Sequence, residues 1–426
     1  MSATASAGAS ADPGRRCSPR GPAPEALRPT DVLGAFFLLG LAYLTVGTLV
    51  AIVHGVADWP AGRWLALHLV FLGGVSQLVL GASQFFVGAF LATEPPARAL
   101  VRAQLGLWNA GTLAVVAAVA LGVPAGAQIG ALTLVAALVL YASGLRAMQR
   151  RSLQRARWAV RWYYACAALL VPGLVAGVLL ARGTAWPTGD LLATHLTLNL
   201  AGWLGTAIVG TLHTLFPSLT ATSLSFPKLE SWTFASWTAG VLALAAGSAF
   251  AIPALAIVGW TLLLTGATCL GANVLGSLRA TSPPLTLPAR LLATGQAALL
   301  AGLAVALTES VVGTQALVVG SARAAVAALV LAGWLGLTVL GSVLHLLAVL
   351  LRVRVGRPLP VPRPTRDRWL VALAVTSVSV LATAQLFGLG AVVAPAATFL
   401  AAVYALLACQ VLMLAVPAAR TARPSV

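Results

Sequence analysis

Five histidines are the main metal-binding and proton-transferring side chains of this sequence: His54, His68, His195, His213 and His345. Imidazole is the common ligand for membrane copper and haem iron, and it titrates close to neutrality. Spacing limits what these residues can do. His195 and His213 are 18 residues apart, roughly 27 Å along a helix, too far to share one ion. On a regular helix that interval is a whole number of turns, so both lie on one face, with Asn199, Gly202 and Thr206 close to it. The segment predicts a polar stripe on an otherwise apolar helix, turned toward other helices or a cavity. Interhelical hydrogen bonding and a ligand or substrate role both satisfy that pattern. Gln84, His213 and His345 follow Gly73, Gly202 and Gly333 by 11, 11 and 12 residues. This predicts one polar layer, either a proton or ion path or a hydrogen-bonded plug. Glu309 is the only acid clearly inside an apolar run. Arg323 is its expected ion-pair partner, and a proton relay with His195 is the alternative. His54, close to Asp58, reads as interfacial. The four cysteines form neither CxxC nor CxxCH, and there is no Walker loop, dinucleotide fingerprint or HExxH.

The elements that carry these residues follow from composition. Of 426 residues, 60% are apolar and 8% charged, and mean hydropathy is +0.95. An ordinary soluble domain is about 25% charged. A soluble enzyme, a disordered chain and a disulfide scaffold are excluded, and a polytopic membrane protein in a lipid bilayer remains. Apolar runs between Pro and Gly breaks predict twelve spans, at about 32–54, 64–92, 103–122, 127–146, 159–181, 191–214, 232–251, 254–276, 290–312, 322–350, 369–388 and 393–416. The net charge of +17 would suggest nucleic acid in a soluble protein, but here the positive-inside rule accounts for it. With alternate loops assigned to each side, all but Arg63, Arg182 and Arg323 of the 26 basic residues fall on the side of the N-terminus. That predicts a multi-pass cell-membrane protein with both termini cytoplasmic. Residues 1–30 read as a disordered basic tail, 31–416 as one membrane domain and 417–426 as a second tail.

The apolar sequence also has a period. GGVSQLVLG from Gly73, GWLGTAIVG from Gly202 and GWLGLTVLG from Gly333 recur at offsets of 129 and 131. WNAGTLA from Trp108, WTAGVLA from Trp237 and WLVALA from Trp369 recur at 129 and 132. Two anchors with one period predict three four-helix units, whereas transporters repeat every six helices or as inverted threes.

An all-α membrane fold of twelve helices in three pseudo-symmetric groups of four resembles subunit I of the haem–copper oxidases and the nitric oxide reductases. The sixth span, from His195 through Asn199, Gly202-Trp203 and Gly210 to His213 and Pro217, is similar to a pattern in NnrS-type proteins and in membrane domains of some bacterial copper oxidases. The resemblance implies an axial haem role for His68 and a copper role for His195. It also implies an association with respiratory or nitrogen-oxide metabolism and a membrane or cupredoxin redox partner. Aligned on the glycine anchors, His68 corresponds to Thr197 and is expected to point away from the stripe. The seventh span lacks the copper histidines of the oxidases, and the tenth lacks haem histidines at its outer end. The binuclear centre cannot be assembled, so the expectation is an accessory protein that binds haem, copper or neither, rather than an enzyme. A permease with a polar path and a non-catalytic membrane anchor are the alternatives.

Overall fold

The computed structural model describes residues 27–57, 59–154, 157–313 and 322–421. Asp58, most of the first expected tail and residues 422–426 of the second lie outside this set. The described residues contain no strand and form twelve long helices. In chain order these are α1 (Pro29–Ala57), α2 (Gly62–Leu91), α3 (Arg98–Ala120), α4 (Pro124–Arg151), α5 (Arg157–Ala181), α6 (Leu191–Thr220), α7 (Lys228–Ala249), α8 (Pro253–Ala280), α9 (Leu287–Val311), α10 (Arg323–Val355), α11 (Pro364–Leu386) and α12 (Gly390–Thr421).

Eleven of the helices are long and apolar enough to cross a bilayer, so the chain is a multi-pass membrane protein. The exception is α7, whose first turns carry Lys228, Glu230, Ser231, Thr233 and Ser236. Its hydroxyls are absorbed locally: Thr233 donates to Leu229 O at 2.7 Å and Ser236 to Trp232 O at 2.6 Å. Several expected ends shift. α6 continues through Pro217 to Thr220 and ends where Ala221 turns left-handed at φ 53°. α10 runs to Val355, and α12 runs past Pro417 to Thr421, into the expected second tail. A proline late in a membrane helix does not stop it where neighbouring groups take over its missing bond.

Packing follows a regular order. α1 lies on α2, α5 on α6 and α9 on α10, while α3–α4, α7–α8 and α11–α12 form antiparallel hairpins. Between these groups, α2 packs on α5, α6 on α9 and α10 on α1. Glycines set the closest approaches. In α3–α4, a Cβ on Gly111 would meet Gly130 O at 2.9 Å, and a Cβ on Gly130 would meet Gly111 O at the same distance. In α7–α8, Gly240 and Gly259 form the corresponding pair one period later, with Cβ-to-backbone distances of 2.8 and 2.6 Å.

Three helices share a second feature. α2, α6 and α10 each contain a π-helical stretch, at Leu69–Val75, Thr197–Gly205 and Ala328–Gly336. These stretches contain the three glycine anchors of the sequence period. A π turn widens the helix and turns a carbonyl off the usual ladder, so it needs an outside donor. Trp108 Nε1 supplies one to Leu72 O at 3.2 Å, and Trp237 Nε1 supplies one to Ala201 O at 3.2 Å. Donor and acceptor alike advance by one period between the two bonds. In the last stretch the carbonyl is Ala332 O and the donor is the Tyr404 hydroxyl from α12. Trp369, the expected third tryptophan anchor, is 67% exposed instead.

Candidate functional site

His68 and His195 come together near the ends of α2 and α6 that adjoin residues 58–61 and 182–190. Their ring centroids are 6.4 Å apart and the rings are inclined by 25°. This differs from the expectation that His68 points away from the stripe. Local structure sets each ring. His68 Nδ1 lies 2.9 Å from Trp64 O, one turn back, and the Trp64 ring stacks on it at 3.9 Å. His195 Nδ1 lies 3.0 Å from Gly173 O in α5. A carbonyl only accepts, so both Nδ1 atoms carry the proton and both Nε2 atoms keep their lone pairs. Neither Nε2 has a hydrogen-bond partner among the described residues.

The start of α6 is anchored firmly. Asp190 Oδ1 accepts from Ala193 N at 2.9 Å as an N-cap, and Asp190 N donates to Ser248 O at 2.8 Å. Trp186 and Thr188 both donate to Ala249 O, at 2.7 and 3.0 Å, which ties the preceding loop to the end of α7.

The polar stripe of α6 meets α5. Asn199 Nδ2 lies 3.2 Å from His195 Nδ1 but donates to the nearer His195 O, at 2.7 Å. It packs against Gly173, where an added Cβ would lie 2.8 Å from Asn199 Nδ2. A Cβ on Gly177 would lie 2.9 Å from His195 Cε1. Thr206 turns to α7, accepting from Trp237 Nε1 at 3.2 Å. His213 is buried against Trp162 of α5 at 6.1 Å, and neither ring nitrogen has a partner among the described residues. Interhelical packing therefore engages most of the stripe.

A cavity opens at the centre of the bundle, lined chiefly by α2, α6 and α10. Its walls repeat with the sequence period. Val79, Ile208 and Val339 contribute one layer, Ala82, Thr211 and Ser342 a second, and Phe86, Leu215 and Leu346 a third. Gln84, His213 and His345, the expected polar layer, are not in the wall. Gln84 sits two residues from the lining residues Ala82 and Phe86, and His213 and His345 directly follow or precede the lining residues Leu212 and Leu346 on their helices. Gln84 Nε2 instead donates to Leu80 O at 2.9 Å. Glu309 is half-buried near the end of α9, and Arg323 is exposed at the start of α10.

Sequence reasoning missed Trp64 and the Gly173/Gly177 pair. Both had a signal. Trp64 precedes His68 by one turn, and two glycines four apart on α5 leave room for side chains of a facing helix. Among the described residues no group of three or more His, Cys, Asp or Glu side chains is placed to hold a metal. The sequence matches no known family model and no curated protein.

Proposed function

We propose that this multi-pass membrane protein is built on a haem–copper-oxidase-like frame of three four-helix units and carries haem or copper in an accessory role in respiratory or nitrogen-oxide metabolism. The frame is supported by the recurrence of the π stretches, the Trp–carbonyl bonds and the cavity layers at one period. The helix-to-helix contacts α2–α5, α6–α9 and α10–α1 are those of a ring that closes on itself. The cofactor reading rests on one observation: His68 and His195 converge with both Nε2 lone pairs open. These donors suit copper or haem iron. Two histidines do not supply the three copper ligands and the haem ligand of a binuclear centre, so the role is not oxygen or nitric oxide reduction by that route. In this reading the basic loops and both termini face the cytoplasmic side of the cell membrane, and the histidine pair lies near the opposite face. A membrane or cupredoxin redox partner would meet the protein there.

Absorption spectroscopy and metal analysis of the full chain purified in detergent test the proposal. The expected result is bound copper or a haem Soret band. A colourless preparation free of copper and iron refutes it. The central cavity favours a second reading, a permease with its path between α2, α6 and α10. Substrate flux that survives Ile208→Trp, a plug in that wall, would count against it.

A further inference from the structure

We infer that the ends of α4 and α5 that adjoin residues 152–156 form a site for one anionic phospholipid, whose headgroup phosphate is held by Arg146 and Arg161. The inference needs only that these helices cross a bilayer, and it stands apart from the cofactor reading.

Unpaired charge is the first argument. The chain holds 26 basic residues against 9 acidic ones. α4 carries Arg146, Arg150 and Arg151 in its last two turns, and α5 carries Arg157 and Arg161 in its first two. Arg151 is engaged, because its Nη2 donates to Glu94 O at 3.0 Å and to Pro95 O at 3.2 Å. Arg146, Arg150 and Arg161 are exposed, and no acidic side chain pairs with them among the described residues. Like charges gathered in this way favour an anion between them.

The second argument is placement. The Arg161 guanidinium lies over the Trp158 ring, 4.9 Å from its centre. Trp158 in turn meets Phe234 of α7 edge-on at 5.7 Å, so the ring under the guanidinium is itself held. Tyr164 donates to Gln149 Oε1 at 3.0 Å, which fastens α5 to α4 at this level. Arg146 lies one turn before Gln149 and within electrostatic reach of Tyr164, and Arg161 lies one turn before Tyr164. Both arginines thus border one tyrosine. A guanidinium fork matches the oxygens of a phosphate.

Depth selects a lipid over a soluble anion. Arg146 is 5 residues inside the end of α4 and Arg161 is 4 residues inside the start of α5, roughly 6–8 Å along each helix. Trp158 and Tyr164 are residue types that gather at headgroup level. Deeper on the same faces, at steps of about two turns, α4 exposes Val139 at 58% and Leu132 at 70%, and α5 exposes Ala168 and Val175. Each arginine therefore heads an apolar stripe open to the bilayer. A phosphate with acyl chains attached meets both the charge and the stripes, whereas a free phosphate or a nucleic acid meets the charge alone.

Native mass spectrometry of the full-length protein in detergent tests the inference, with phosphatidylglycerol and phosphatidylcholine of the same acyl chains as probes. One phosphatidylglycerol is expected to stay bound where phosphatidylcholine, whose choline cation the arginines repel, does not. Arg146→Gln and Arg161→Gln should each weaken retention about fivefold. Arg368→Gln, at an exposed arginine near the start of α11, should leave it unchanged. Excess inorganic phosphate should not displace the lipid. Thermal melting checks that each variant is folded, and the comparison of the two lipids on the unsubstituted chain decides the outcome if a variant is not. Equal retention of both lipids, displacement by inorganic phosphate, an equal loss in Arg368→Gln, or unchanged retention by folded Arg146→Gln and Arg161→Gln overturns the inference.

Discussion

The ion pair between Arg354 and Asp31 joins the last turn of α10 to the first turn of α1, where the proposed ring closes. Arg354 Nη2 lies 2.9 Å from Asp31 Oδ1, and the two side chains are 12% and 18% exposed. The same Nη2 donates to Thr30 O at 2.9 Å, and Asp31 Oδ2 accepts from Arg28 N at 3.0 Å. Gly34 makes room, because a Cβ there would lie 3.0 Å from Nη2. Breaking a fully buried pair costs about 3–5 kcal/mol, and an exposed pair contributes about 0.2–1 kcal/mol. With exposures in the teens, Arg354→Met should cost about 2–3 kcal/mol, since it strands a partly buried carboxylate. Asp31→Asn should cost about 2 kcal/mol, because it strands the guanidinium while the amide oxygen still accepts from the helix N-terminus. The double variant should cost about 3 kcal/mol, which leaves a coupling of roughly 1–2 kcal/mol. Reversible unfolding in mixed micelles, run as a double-mutant cycle, measures that coupling. Costs that add to within about 0.5 kcal/mol would refute the argument that this contact fastens α10 to α1.

Three further outcomes follow from the same geometry. Trp237→Phe removes the donor to Ala201 O and Thr206, so it should lower stability by about 1–2 kcal/mol in the same assay and more than Trp108→Phe, whose indole has a single acceptor. Gly210→Ala places a Cβ 2.2 Å from Trp162 Cγ and should cost about 1–3 kcal/mol, detectable as a lower melting temperature in detergent. In an otherwise cysteine-free chain, Thr184→Cys should react with an impermeant maleimide on intact cells, whereas Gln154→Cys should not. Reversed labelling would overturn the proposed orientation.

Legibility in the sequence was uneven for physical reasons. Helix number and position followed from hydropathy, because a bilayer forces apolar stretches of a set length. The period was readable because close helix contacts demand glycine, and Gly111/Gly130 recurs as Gly240/Gly259. The third copy departs where a different residue can do the same work: Tyr404 donates to Ala332 O while Trp369 lies on the surface. The π stretches were not legible. Their residues are ordinary for a membrane helix, and the wider turn depends on a donor from another helix, such as Trp108 of α3 for Leu72 of α2. The span expected at 191–214 stops short of Pro217, yet α6 runs through that proline to Thr220, because proline lacks stopping power inside a bundle.

The histidine pair shows what a repeat can predict and what it cannot. Positions related by the period line one cavity together, as Val79, Ile208 and Val339 do. Contacts between consecutive units follow another rule. In a ring generated by rotation, one flank of a helix meets the opposite flank of the next, so the residues that touch are not equivalent. Trp108 stacks on Trp203 at 5.9 Å, and Trp237 meets Trp334 at 6.0 Å, although Trp108 and Trp203 occupy different positions in the period. His68 aligns with Thr197, not His195, and that mismatch led to the expectation that the two histidines diverge. Under rotation, a mismatch of this kind is what a contact between neighbouring units requires. The other two junctions have no histidine at the matching positions. Thr197 and Val326 stand there between α6 and α10, and Ala328 and Ala66 between α10 and α2. One junction of the proposed ring therefore holds a pair of imidazoles that the repeat does not provide at the other two.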